Sequence, residues 1–197
     1  MHSSLSQPSS LPTDQRAQQG GLLFLASLLV FFLAGIVTFV LYASWREASF
    51  IAAEKLPLSF GLSTLCLIVV SGMLHGAVRN VRREKHSSAM RFLIVALLGS
   101  VVFLAVQGRA MWHLAGGYSS AGLEAGLAGM MLALALLHAM HVIGGVASLV
   151  IVTLRLMRHQ YDHERHWGIS FTALYWHFLD VVWLLMLAAF WYSSGGF

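Results

Sequence analysis

Polar residues in this chain mostly punctuate long apolar runs. From residue 21 onward five stretches, 21–45, 56–78, 92–112, 123–154 and 168–192, each come close to or exceed the ~20 mostly apolar residues that a helix needs to cross a membrane. None shows the period-two alternation of a strand, and in hydrocarbon each backbone amide must be satisfied inside its own helix or in a closed barrel. The pattern predicts an all-α, polytopic membrane protein: one transmembrane domain over 21–193, built as a five-helix bundle. The segment 1–20, MHSSLSQPSSLPTDQRAQQG, is too poor in apolar residues to fold alone and is expected to be a disordered polar tail. The first apolar run lacks a small-x-small cleavage site, so it is expected to stay as a span.

Composition supports this reading. Of 197 residues 58% are hydrophobic and 10% charged, far from the quarter-charged average of soluble domains, and little remains for a soluble module. The pI near 9.6 does not point to nucleic acid, because the basic residues form no stripe with interleaved aromatics. They report orientation instead. Arg16, Arg79, Arg82, Arg83, Lys85, Arg91, Arg155, Arg158 and Arg165 fall on one side of the five spans, against Arg46, Lys55 and Arg109 on the other. Positive charge stays inside, which predicts a cytoplasmic N-terminus and an external C-terminus.

Smaller signals agree. Pro57 stands at the entry of the second run, where its missing amide hydrogen costs nothing. Gly116, Gly117, Ser119, Ser120 and Gly122 mark a turn. Trp45, Trp112, Trp167, Trp191 and Tyr192 fall at expected helix ends, as interfacial anchors do. The single cysteine, Cys66, lies mid-span and reads as a small buried hydrophobe. Small residues recur at close-packing spacings on the fourth run, as Gly129 with Ala133 and Gly144 with Ser148. No internal repeat is present, which speaks against an inverted-repeat transporter.

The chemistry lies in the last two runs. A charge near the bilayer centre costs about 2.5–3.5 kcal/mol on insertion scales, so an intramembrane acid faces protein and has a partner. Asp180 is the only acid in the middle of any run. His138, His141, Gly145 and Ser148 form one stripe on the fourth helix, and His177 shares a face with Asp180 on the fifth. At 1.5 Å per residue His141 lies roughly 20 Å deep and Asp180 roughly 17 Å deep, so a hydrogen bond from Asp180 to His141 or His177 is expected. Three uses compete for this group: a structural polar seam between helices, a proton relay, and a haem or metal site. Against the last, His75, His113, His138 and His177 give no pairs of ligands at matched depths. In the basic loops His86, His159, His163 and His166, beside Glu84, Asp162 and Glu164, form either a proton-collecting surface or simply solvated loops that fix orientation.

These residues bring a family into view. YWHFLDVVWLLML (175–187) and HAMHVIGG (138–145) resemble the Trp-His-Phe-x-Asp-x-x-Trp and His-x-x-His-x-x-x-Gly signatures of subunit III of haem-copper respiratory oxidases, the cytochrome c and quinol oxidases. LFLAS (23–27), LPLSFGLSTLCLIVVSG (56–72) and QG (107–108) are similar, in order, to its first three core helices, so the resemblance covers about residues 20–193 in the short five-helix bacterial form. Leu28 stands where the family usually has a glutamate, and Ala110 or Met111 where it often has a second carboxylate. The resemblance implies a non-catalytic accessory subunit of a proton-pumping oxidase in a bacterial cytoplasmic membrane. That subunit stabilises subunit I and supports proton uptake. It implies no catalytic, cofactor-binding or metal-binding residue in this chain, with haem and copper held by partner subunits I and II and with phospholipid bound. His138, His141, His177 and Asp180 would then be the seam fixing helices four and five. The alternatives are a subunit-III-like accessory protein of a nitric oxide reductase and a haem-binding membrane cytochrome.

Overall fold

The computed structural model describes residues 13–45, 59–83, 85–118, 125–158 and 167–194. They form α1 (Thr13–Trp45), α2 (Ser59–Val81), α3 (His86–Tyr118), α4 (Ala125–Met157) and α5 (Trp167–Ser194). All five are long and apolar enough to cross a membrane, and no strand occurs among the described residues. Five spans place the start of α1 and the end of α5 on opposite faces. The multi-pass helical fold expected from the pattern is thus present.

The helices outrun the apolar stretches that predict them. α1 starts at Thr13, which corrects the expectation of a disordered tail over 13–20; residues 1–12, like Pro57, lie outside the described residues. α3 starts at His86 where the apolar pattern begins only at 92. Flanks such as DQRAQQ contain good helix formers, and lengthening an existing helix adds a hydrogen bond for each residue fixed. Between α2 and α3 the chain turns tightly: the Asn80 carbonyl accepts the Arg83 and Lys85 amides at 3.1 and 3.0 Å, and the Asn80 side-chain amide donates back to the Gly76 carbonyl at 2.8 Å. That turn delivers α2 and α3 as the most extensively packed pair. Ala77, Ala89 and Ala96 are fully buried there, and a Cβ on Gly99 would sit 2.8 Å from Val70 Cγ2. Small residues let the two backbones approach.

α5 organises the rest. It packs on α1, α2 and α4, whereas α1 and α2 meet each other at most marginally. Half of its most apolar window is buried (50%), against 22% for α1. Trp176, Leu179, Val182, Trp183, Met186 and Phe190 point inward, with Phe39 edge-on to Phe190 at 5.2 Å and Phe103 edge-on to Trp183 at 6.1 Å. The outside is apolar as well: Leu23, Val30, Leu98 and Ile68 are among many large exposed hydrophobics. A surface of that kind is far beyond the few hundred Å² of apolar patch tolerated in water and suits lipid. Trp45 and Trp112 are 83% and 81% exposed near the ends of α1 and α3, and Trp191 and Tyr192 are exposed near the end of α5, as an aromatic belt requires.

Candidate functional site

One turn of α5 addresses two neighbours. Toward α4, the Tyr175 hydroxyl donates to the His141 carbonyl at 2.9 Å and the Trp176 indole N–H donates to the Gly145 carbonyl at 3.2 Å. Each carbonyl has a second lone pair beyond its own helical bond, so the contacts cost α4 nothing. Gly145 leaves room for the second: a Cβ there would press on Trp176 Cε2 at 3.2 Å and Leu179 Cδ1 at 3.3 Å.

Toward α2, the chemistry is different. His177 Nδ1 is hydrogen-bonded to the Ser71 hydroxyl, and the Asp180 carboxyl lies near enough to that hydroxyl to interact with it. Ser71 therefore stands between the imidazole and the acid where α2 meets α5. His75, one turn along α2, lies within electrostatic reach of His177. The second carboxyl oxygen of Asp180, Oδ1, is sealed in without a hydrogen bond.

The expected bond from Asp180 to His141 does not form. His141 Nδ1 donates to the Leu137 carbonyl of its own helix at 2.8 Å, and its ring meets Phe32 edge-on at 5.1 Å. At 3.6 residues per turn Asp180 lies about 40° around α5 from Trp176 and about 60° from His177, between the α4 and α2 faces. The α4 side of that interval is taken by the Trp176 indole and Leu179 against Gly145, which leaves α2. The polar seam between α4 and α5 is accordingly made by Tyr175 and Trp176 on backbone carbonyls, while His177 bonds to Ser71 of α2 with Asp180 beside it.

His138 belongs to neither seam. It is 1% exposed, its ring is stacked on Trp183 at 5.6 Å and edge-on to Phe32 at 6.2 Å, and neither ring nitrogen has a hydrogen bond among the described residues. Trp183 in turn donates its N–H to Thr64 Oγ1 of α2 at 3.1 Å. The four intramembrane residues thus separate into a polar cluster of His177 and Asp180 around Ser71, between α2 and α5, and an aromatic box around His138 and His141. No group of three or more side chains able to hold a metal ion occurs among the described residues. His86 opens α3; His159, His163 and His166 lie outside the described residues, with Glu84, Asp162 and Glu164.

Sequence reasoning missed Ser71, Thr64 and Tyr175. A signal for the first two exists in depth. Ser71 stands ten residues from the Val81 end of α2 and His177 ten residues from the Trp167 end of α5, about 15 Å each. Thr64 and Trp183 match in the same way at about 25 Å.

Comparison with known proteins places these elements. The family model described as cytochrome c oxidase subunit III matches residues 18–194. The cytochrome c oxidase subunit 3 of Pylaiella littoralis is 31% identical over 93% of this chain and 70% of its own length, and that of Struthio camelus 26% identical over 93% and 72%. A shorter match, to the protein of the same name from Tetraodon nigroviridis, is 45% identical over 29% of this chain and 22% of its own length.

Proposed function

Since this chain belongs to the cytochrome c oxidase subunit III family, we infer the role of a membrane-embedded accessory subunit of a haem-copper oxidase whose own side chains take no part in redox chemistry. The observation that carries this is the family match over 18–194, which takes in α2 to α5 whole and all of α1 but its first five residues. The relatives bear the oxidase name, so a nitric oxide reductase partner and a free-standing membrane cytochrome are not favoured.

The finer reading is as follows. Subunits I and II are the partners and hold the haem and copper. This chain stabilises subunit I, supports its proton uptake and binds phospholipid at its apolar surface. It lies in a bacterial cytoplasmic membrane with the start of α1 inside, because the Arg-rich α2–α3 turn and the Arg155 end of α4 share that face. The residues support a scaffold: Tyr175, Trp176 and His177 of α5 are hydrogen-bonded to neighbouring helices.

Gentle solubilisation followed by affinity purification of this chain tests the role. A haem-bearing oxidase core should travel with it. Recovery of the chain alone, or with a nitric oxide reductase, would refute the reading. Labelling of single cysteines placed in the α2–α3 turn and after Tyr192 tests the orientation; reagents confined to the outside should reach only the second.

A further inference from the structure

His177 makes only half of the hydrogen bonds its ring allows. Nδ1 is bound to Ser71, while Nε2 has no hydrogen bond among the described residues and is not among the atoms sealed in the interior. The ring is half-buried on a face of α5 that is otherwise open: Leu174, Val181, Leu184, Leu185 and Ala188 follow at three- and four-residue steps and are exposed. This stripe runs between α1 and α2, which flank α5 without closing over it.

Depth decides what can answer Nε2. His177 is ten residues, about 15 Å, from the Trp167 end of α5, which is near the middle of a hydrocarbon core about 30 Å thick. Lipid headgroups and bulk water do not reach there. An unpaired ring nitrogen in hydrocarbon is costly, and intramembrane polar groups characteristically pair across helices. The ring meets the Ser71 hydroxyl in either of two tautomers. When Nδ1–H donates to Ser71, Nε2 is an acceptor. When the hydroxyl donates to Nδ1, Nε2–H is a donor. A hydroxyl or amide side chain satisfies both arrangements.

We propose that the α5 stripe between α1 and α2 is the docking face for a transmembrane helix of another oxidase subunit, and that this helix carries a hydroxyl or amide side chain at mid-membrane depth bonded to His177 Nε2. The proposal rests on the accessory-subunit reading and adds to it a place and a chemistry. The apolar stripe supplies packing area, and His177 fixes the register of the incoming helix, the role single polar residues play in apolar interfaces.

The test uses the whole complex in native membranes. A benzophenone amino acid is placed at Val181 or Leu184 on the stripe, and at Leu98 on α3 or Ile143 on α4 as exposed controls. Adducts to an oxidase core chain are expected from Val181 and Leu184 and not from the controls. Core adducts from the controls alone, or equally from all four positions, would overturn the proposal. Core adducts from none of them would overturn the accessory role as well. In parallel, His177→Gln keeps an amide near the Nε2 position and His177→Asn keeps one near Nδ1. His177→Asn should shed the core several-fold faster in a detergent wash, with His177→Gln close to wild type. Equal retention by both variants would remove His177 Nε2 from the interface.

Discussion

Removal of the Ser71 hydroxyl is the most informative single perturbation, because one oxygen bonds His177 and lies beside Asp180. Ser71→Ala leaves His177 Nδ1 without its partner and takes a hydroxyl dipole away from Asp180, whose Oδ1 already lacks a hydrogen bond. Interhelical hydrogen bonds in membranes average about 0.6 and reach about 1.7 kcal/mol, so loss of the His177 bond predicts about 0.6–1.7 kcal/mol, with the change beside Asp180 adding to it. His177→Phe, which keeps a ring and loses the nitrogens, should cost about 0.6–1.7 kcal/mol. Removal of both members of a buried pair costs less than the sum of the single losses, since the second change no longer strands a polar atom. The double variant should therefore be milder than additivity by about 0.6–1.7 kcal/mol. Titration of the purified chain from mild into denaturing detergent, with loss of helicity as readout, gives each value. Additivity within ~0.3 kcal/mol, the ordinary scatter for independent sites, would show that the Ser71–His177 bond carries no energy and refute the reasoning.

Other changes test other contacts. His138→Phe should leave stability unchanged or raise it by up to about 1 kcal/mol, because both nitrogens are buried without hydrogen bonds while the stack on Trp183 is retained; a loss above ~1 kcal/mol in the same titration would show that the nitrogens are satisfied. Gly99→Ala should cost about 1 kcal/mol net. The overpacking against Val70, about 1–3 kcal/mol, outweighs the ~1 kcal/mol gained in helix propensity, and the change is read as a lower unfolding midpoint. Asp180→Asn keeps a polar side chain beside Ser71 and should leave the yield of assembled complex near wild type, whereas Asp180→Leu should lower it; equal yields would deny Asp180 a structural role.

The five spans were legible in the apolar runs because hydrocarbon leaves a chain few alternatives, and their ends were underestimated because polar flanks continue a helix once it exists. The candidate site was half legible. His177 and Asp180 stand out as ionisable groups in lipid, and the demand for partners is met for His177 Nδ1 but not for Asp180 Oδ1. Which partner was hidden, for two physical reasons. A serine in the middle of Val-Val-Ser-Gly carries no charge to attract attention. A short α4–α5 loop favours α4 as the neighbour, yet α5 also lies against α2, while the consecutive pair α1 and α2 hardly touch. Adjacency along the sequence thus gave one of the two faces of α5. The belt tryptophans and the enclosed rings at Trp176 and Trp183 show how little identity alone decides: the same residue type anchors at an interface when it ends a helix and fills the core when it lies on the inward stripe of α5.

The placing of α5 has a temporal side. It emerges from the ribosome after the other four, yet it bears the complement of Ser71, Thr64 and the two carbonyls of α4. Until it inserts, α1 and α2 have no common surface on which to meet, and the polar atoms of both α2 and α4 stand open to acyl chains. The bundle is closed by its keystone, and a nascent chain stalled before Trp167 would be an orphan for membrane quality control to recognise.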